Sequence, residues 1–199
     1  MIGPQTIKIY GRSHIRETIG NISYLISPDA FFQTNVGAAS VLQQCVVENF
    51  RGAQRVLDLY CGSGLFSLRL AAEGARVIGI EENRQAVRDA EANMRLNRIP
   101  PDRARFMAVR VEDGLGTVAR DTWDAVILDP PRQGCPAGVL ERVFRGIAAP
   151  RVVYVSCNPE MLAVELPMIL KYGYTVERIE AVDMFPHTDH IETLVHLRA

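Results

Sequence analysis

The sequence predicts an α/β domain built on a seven-stranded, mostly parallel sheet whose last strand runs backwards, preceded by a small hairpin-and-helix extension. Three observations lead there. From residue 55 onward, short apolar runs alternate with helical patterns, the signature of a parallel sheet covered on both faces. The last two runs are joined only by Asp183–Asp189, which leaves no room for a crossover helix, so that junction reads as antiparallel. Two successive runs end in chemically loaded stretches, Asp129-Pro130-Pro131-Arg132 and Ser156-Cys157-Asn158-Pro159. In open α/β sheets, ligands bind at the rim outside the carboxyl ends of the strands.

The elements follow in order. Ile7–Tyr10 and Ile22–Ile26 read as a hairpin or two small strands, and Thr34–Phe50 as a helix capped by Thr34 or Asn35. The chain therefore divides into an extension over residues 1–50 and a binding domain over 51–199. The predicted strands of the domain are Arg55–Leu59, Arg76–Ile80, Ala104–Val109, Trp123–Leu128, Arg151–Val155, Tyr174–Val182 and His190–Leu197. Between them the helical patterns run over Gly64–Glu73, Asn83–Asn97, Ala137–Gly146 and Pro159–Tyr172. Residues 1–50 start abruptly, as if an upstream domain were missing.

A chain of 199 residues suffices for a sizeable core. No apolar run approaches the roughly 20 residues of a membrane span. The start, Met1-Ile2-Gly3-Pro4-Gln5, shows no basic stretch followed by an apolar core, so no secretory leader is expected. Cys45, Cys61, Cys135 and Cys157 form neither a CxxC pair nor a Cys/His cluster, which argues against zinc, an iron–sulfur cluster or a disulfide framework. These features predict a cytoplasmic monomer without a metal. The net charge of −1 lacks the basic excess of a domain that grips nucleic acid alone. An RNA substrate would need a local patch or a surface outside this chain.

Val56-Leu57-Asp58-Leu59-Tyr60-Cys61-Gly62-Ser63-Gly64-Leu65 reads as strand, glycine turn and helix start. Glycine lets the backbone turn tightly and approach a ligand. Glu81 ends the next strand about 20 residues on, where a carboxylate accepts both hydroxyls of a ribose. Phe66-Ser67 stands where a dinucleotide fingerprint has its third glycine, so the usual pyrophosphate cradle is lacking. S-adenosylmethionine carries no phosphate, and Asp58 suits its cationic groups. Read blandly, Asp58 is a turn former and Glu81 a charge favoured by a helix N-terminus. Their joint occurrence with Asp129 favours the cofactor site.

Further motifs make the likeness specific: Phe31-Phe32-Gln33-Thr34-Asn35, Gly79-Ile80-Glu81 and Pro186-His187-Thr188-Asp189-His190-Ile191-Glu192. With the glycine turn, the Asp-Pro-Pro-Arg stretch and the Ser-Cys-Asn-Pro stretch, they occur in the order found in the RNA 5-methyluridine methyltransferases. The chain resembles the catalytic domain of that family from about residue 20 to its end. The resemblance implies the Rossmann-like class I methyltransferase fold, S-adenosyl-L-methionine as cofactor and a uridine of tRNA or ribosomal RNA as substrate. It implies Cys157 as nucleophile and Glu192 as general base. Gln33 and Tyr60 then join Asp58, Gly62, Gly64, Glu81 and Asp129 as cofactor contacts, and Asp129 holds either the flipped base or the cofactor.

The chemistry needs these residue types. C5 of uracil is a poor nucleophile. A thiolate adding to C6 turns the base into an enolate, and a base must later remove the C5 proton so that the cysteine leaves. A reversed last strand begins where the parallel strands end, so Glu192 shares the rim with Cys157. His190 and Glu192 would lie on one strand face and His190 would tune Glu192. Arg132 reaches phosphate or the catalytic loop. A thiol of ordinary pKa is mostly protonated at neutral pH, so local stabilisation of the Cys157 thiolate is expected. Cys45, Cys61 and Cys135 read as non-catalytic. Cys157 as an inert buried thiol is the bland alternative.

Leu65 and Arg110 stand at positions that are asparagine in many relatives. Relatives usually carry an RNA-recruiting domain upstream, often with an iron–sulfur cysteine cluster, which leads to an expectation of weak RNA binding with intact cofactor binding. Two other readings stay open. RNA 5-methylcytosine enzymes share the addition to C6 but carry a cysteine where Pro131 stands. A cofactor- or RNA-binding module that has lost catalysis would keep the fold and the glycine turn.

Overall fold

The computed structural model describes residue 7, residues 9–188 and residues 190–199. The start Met1–Gln5, the residue Lys8 of the first predicted strand and Asp189 lie outside the described residues.

The extension opens with a hairpin of β1 (Ile15–Ile19) and β2 (Ile22–Ile26), joined by Gly20-Asn21 with Gly20 at φ 55°. The Ile7–Tyr10 expectation is corrected here. Ile7, Ile9 and Tyr10 are exposed and in no strand, and Ile15–Ile19 is the partner of β2. A Gly-Asn pair at a two-residue hairpin loop was the signal for this register. Helix α1 (Val36–Asn49) follows, with the Asn35 side chain accepting from the Ala38 N–H at 3.1 Å.

The sheet contains β3 (Arg55–Leu59), β4 (Arg76–Glu81), β5 (Ala104–Ala108), β6 (Ala125–Leu128), β7 (Arg151–Ser156), β8 (Thr175–Val182) and β9 (Glu192–Arg198). Their order is β5-β4-β3-β6-β7-β9-β8, and β9 is antiparallel to both of its neighbours. Helices α2 (Ser67–Ala72), α3 (Arg84–Leu96), α4 (Val111–Val118), α5 (Ala137–Glu141) and α6 (Pro159–Leu170) cover it. Helix α5 widens into a π-helical turn, Arg142–Ile147, which ends at Ala148 in the left-handed region.

Helix α4 was not among the predicted helices. Its buried Val111, Leu115 and Val118 recur at helical spacing, but Gly114 and Gly116 interrupt the pattern. Two apolar layers sandwich the sheet. Ile22 and Tyr24 of β2, Leu42 and Phe50 pack with Leu68 and Val153 on one side. On the other side Leu57, Trp123, Phe144, Tyr154 and Leu197 come together. The hairpin and α1 therefore share one core with the sheet.

Candidate functional site

The parallel strands deliver their C-terminal residues to one rim. Tyr60 and Gly62 follow β3, Glu81 closes β4, Asp129 follows β6 and Cys157 follows β7. Reversed β9 begins at that rim with Glu192. A cleft of ≈ 470 Å³ opens there, and Gln33, Tyr60, Gly62, Glu81, Asp129, Cys157 and Glu192 all line it. Phe31, Phe32, Ser63 and Phe185 line it too, although the sequence motifs single out none of them individually.

The turn after β3 is held by main-chain bonds. The Tyr60 and Cys61 N–H groups both donate to the Ile80 carbonyl, at 2.8 and 3.1 Å. Tyr60 stands at φ 65° and Gly62 at φ 52°. A non-glycine residue at positive φ is uncommon and costs energy that the surroundings must supply. Glu81 is fixed by two donors: the Gly62 N–H reaches one oxygen at 3.1 Å and the Asn83 N–H the other at 2.8 Å. Gln33 Oε1 and Ser63 Oγ are buried at the cleft without hydrogen-bond partners among the described residues.

Asp58 and Gly64 stand apart from the other predicted residues. Asp58 is completely buried behind the cleft wall, and one of its oxygens accepts from the Ser67 N–H and hydroxyl at 3.1 and 2.5 Å. Its other oxygen has no partner, and burial pushes its carboxyl up to about 7. Gly64, at φ 88°, sits against Leu68, whose Cγ would be 3.0 Å from an added Cβ. Both residues shape the junction of the turn with α2.

The extension braces the same turn. The Leu65 carbonyl accepts from the Tyr24 hydroxyl at 3.0 Å and from Gln43 Nε2 at 2.7 Å. Buried Asp89 accepts from the Ser27 N–H and hydroxyl at 2.8 and 2.7 Å. Asn83 Nδ2 donates to the Asp29 carbonyl, and Asn35 Nδ2 to that of Met184, both at 3.1 Å. The segment carrying Phe31, Phe32 and Gln33 is thus tied down at both ends. These partners lie far away in sequence, so no local pattern announced them.

Cys157 precedes the Asn158 cap of α6, whose side chain accepts from the Met161 N–H at 3.2 Å. Asn158 Nδ2 also donates to the Arg132 carbonyl at 3.0 Å, joining the Ser-Cys-Asn-Pro and Asp-Pro-Pro-Arg stretches. The expected stabilisation of the thiolate is corrected by the surroundings. Burial, then the carboxylates of Glu192 and Asp129, push the Cys157 thiol up, while the Arg132 guanidinium opposes them. Burial raises Glu192 to about 7, again against Arg132. Burial, and then Glu192, lift Asp129 well above the usual carboxylate range.

His190 is placed differently from expectation. Strand β9 starts only at Glu192, so strand alternation does not put His190 beside it. His190 is exposed, and its ring meets Phe185 edge-on at 6.3 Å. Burial pushes the Cys61 thiol far up and the Cys135 thiol up to about 12, and Cys45, half-buried on α1, does not line the cleft. Among the described residues, no three His, Cys, Asp or Glu side chains group as a metal site. No described helix is long and apolar enough to cross a membrane.

Comparison with known proteins agrees with this layout. Residues 8–199 match the family model described as tRNA (Uracil-5-)-methyltransferase. An uncharacterised RNA methyltransferase of Geobacter sulfurreducens is 42% identical over 195 residues, spanning 94% of this chain and 38% of the relative. One from Clostridium tetani is 39% identical over 96% of this chain and 41% of its own length. The chain thus spans about two-fifths of the length of these curated relatives. The crystal structure of Pyrococcus abyssi tRNA (uracil-54, C5)-methyltransferase in complex with S-adenosyl-L-homocysteine superimposes with a TM-score of 0.84. That protein is 37% identical, and the match covers 94% of this chain and 45% of that one.

Proposed function

Because the chain belongs to the tRNA (uracil-5-)-methyltransferase family, we propose that it transfers a methyl group from S-adenosylmethionine to C5 of a uridine in structured RNA, through a covalent bond between Cys157 and C6 of the base. The observation that carries this reading is the convergence of Cys157, at the end of β7, and Glu192, at the start of β9, beside Asp129 in one cleft. A thiol, a carboxylate tuned near neutrality and a ligand cleft are the set that methylation at C5 requires.

The residues present fit the cofactor. Glu81, held by two backbone N–H groups, keeps lone pairs for the hydroxyls of a ribose. The unpartnered Gln33 Oε1 and Ser63 Oγ are offered to polar groups of a ligand. The cleft is lined by Glu81, Glu82, Asp129 and Glu192 against the single cation Arg132, which suits a cationic ligand better than a phosphate. Asp58 fixes the start of α2 with one oxygen. When bound, S-adenosylmethionine supplies an electrophilic methyl on its sulfonium.

Cys157 must lose its proton before it can add to C6. That proton leaves to solvent water and Arg132 favours the resulting thiolate, so the Glu192 carboxylate stays free for the last step. The adduct makes C5 nucleophilic. Once C5 carries the methyl group, Glu192 takes the C5 proton and Cys157 departs. A base tuned to about 7 is suited to this step at neutral pH.

The test uses RNA containing 5-fluorouridine, as tRNA and as ribosomal RNA fragments, with the methyl donor. Fluorine cannot leave as a proton, so the adduct is expected to persist on a denaturing gel. Cys157→Ala should abolish it, and an adduct surviving in that variant would refute the assignment.

A further inference from the structure

Helix α6 touches the loop of residues 131–135 twice. Near its start, Asn158 Nδ2 holds the Arg132 carbonyl at 3.0 Å. In its second turn stands Glu165, only 4% exposed. One Glu165 oxygen accepts from the Cys135 N–H at 2.7 Å, and the other accepts from the Tyr154 hydroxyl. The loop is shaped around this carboxylate. Gly134 lies at φ 77°, and a Cβ there would come within 2.1 Å of Glu165 Oε1. The Cys135 thiol lies near Tyr154 and Tyr60, and Tyr60 lines the cleft at φ 65°.

We infer that Glu165 is a positioning residue: from the far side of the loop, it sets where the Arg132 guanidinium stands relative to Cys157 and Glu192. A buried carboxylate costs free energy unless its hydrogen bonds are satisfied. Here both oxygens are used on groups that fix the Arg132 loop and the β7 strand leading to Cys157. Arg132 is exposed and flexible by nature, so its charge acts at a defined place only if its backbone is anchored. Asn158 holds the Arg132 carbonyl itself and Glu165 holds the loop three residues on. Arg132 is the cation that opposes the rise of the Cys157 thiol, so the anchor bears on thiolate formation.

The inference rests on Cys157 as the nucleophile, and its test needs neither RNA nor methyl donor. Iodoacetamide alkylation of Cys157 is followed by peptide mass spectrometry as a function of pH in wild type, Glu165→Ala, Arg132→Gln and the double variant. Glu165→Ala is expected to raise the alkylation midpoint by about one pH unit, or about tenfold slower labelling on the acid side. Arg132→Gln should shift it in the same direction, and the double variant no further than Arg132→Gln alone. Glu165→Gln keeps an oxygen for the Cys135 N–H and should recover part of the shift. A Glu165→Ala profile that superimposes on wild type, or a double variant that adds the two shifts, overturns the inference. If Glu165→Ala does not fold, Gly134→Ala displaces the loop from the other side and enters the same cycle with the same expectations. Loss of the fluorouridine adduct with this coupling intact would refute Cys157 as nucleophile and leave the coupling standing.

Discussion

Cys157 follows and Glu192 precedes the last backbone pair of the β7–β9 ladder, Ser156 with Thr193, and both side chains line one cleft. Opposed residues of an antiparallel pair have neighbouring side chains. Reversal of β9 therefore brings a thiol and a carboxyl, 35 residues apart in sequence, to one rim.

This placement predicts the behaviour of Glu192→Gln. The amide cannot take the C5 proton, so a methylated covalent complex should accumulate with ordinary uridine RNA. A denaturing gel reads it. Sustained release of methylated product from that variant would remove Glu192 from the role of base.

The raised carboxyl of Glu192 predicts the acid limb of the rate. With its pKa at about 7, the base is protonated below neutrality, and the Cys157 thiol is also pushed up. With both groups protonated, kcat/KM should rise about a hundredfold per pH unit below pH 7, and about tenfold per unit above it while the thiol still titrates. A rate flat between pH 6 and 8 would contradict this assignment.

The raised Glu192 carboxyl also carries a stability consequence. Glu192 ionises at about 7 when folded, against an ordinary value of 4.5 for the unfolded chain. Its contribution is fully present below about 4.5 and is lost as pH rises toward 7, because the folded state binds the extra proton. A pKa difference of one pH unit between folded and unfolded chain is worth about 1.4 kcal/mol, so the loss is on the order of 3 kcal/mol. The urea midpoint should be higher at pH 5.5 than at pH 8, and Glu192→Gln should flatten the difference. An unchanged slope in that variant would assign the dependence to another group, Asp58 first among them.

Two glycines predict opposite signs. A Cβ on Gly79 would lie 2.7 Å from both Cys61 Sγ and Phe106 Cδ1. Gly79→Ala should cost about 1–3 kcal/mol by overpacking and weaken S-adenosylhomocysteine binding through the adjoining turn. Gly116, on α4, has nothing within 4 Å, and Gly116→Ala should stabilise by roughly 0.5–1 kcal/mol. Thermal melts with calorimetric titration distinguish the two, and equal effects at both sites would defeat the packing argument.

Gln43 tests the brace from the extension. Gln43→Leu removes the shorter of the two donors to the Leu65 carbonyl. S-adenosylhomocysteine affinity should fall several-fold with the Cys157 alkylation profile unchanged. Wild-type affinity would show that the Tyr24 hydroxyl alone holds the turn.

Much of the rim was legible in advance because parallel topology is a local inference. Alternating periods name strands and helices, and the ends of parallel strands must converge. Asp129, Cys157 and Glu192 could be assigned to one rim from that alone. Helix α4 was missed because Gly114 and Gly116 mask its apolar spacing. The first strand was misassigned because Ile7–Tyr10 is more apolar than Ile15–Ile19, and the Gly-Asn turn is what marks the true partner of β2.

The sequence by itself determined the thiol and carboxyl groups offered at the strand ends, the strand-and-helix order and the reversal of the final strand, since all of these are written in residue type and short-range spacing. Tertiary structure alone decided that Asp58 turns inward to Ser67 and that Gln43 and Tyr24 grip the turn at Leu65. It also decided that Glu165 underpins the Arg132 loop and that Cys157 is held as a thiol by burial and two carboxylates. The physical reason is common to all four. Desolvation and charge–charge interaction depend on distance in space, and the groups that set them here come from elements remote along the chain.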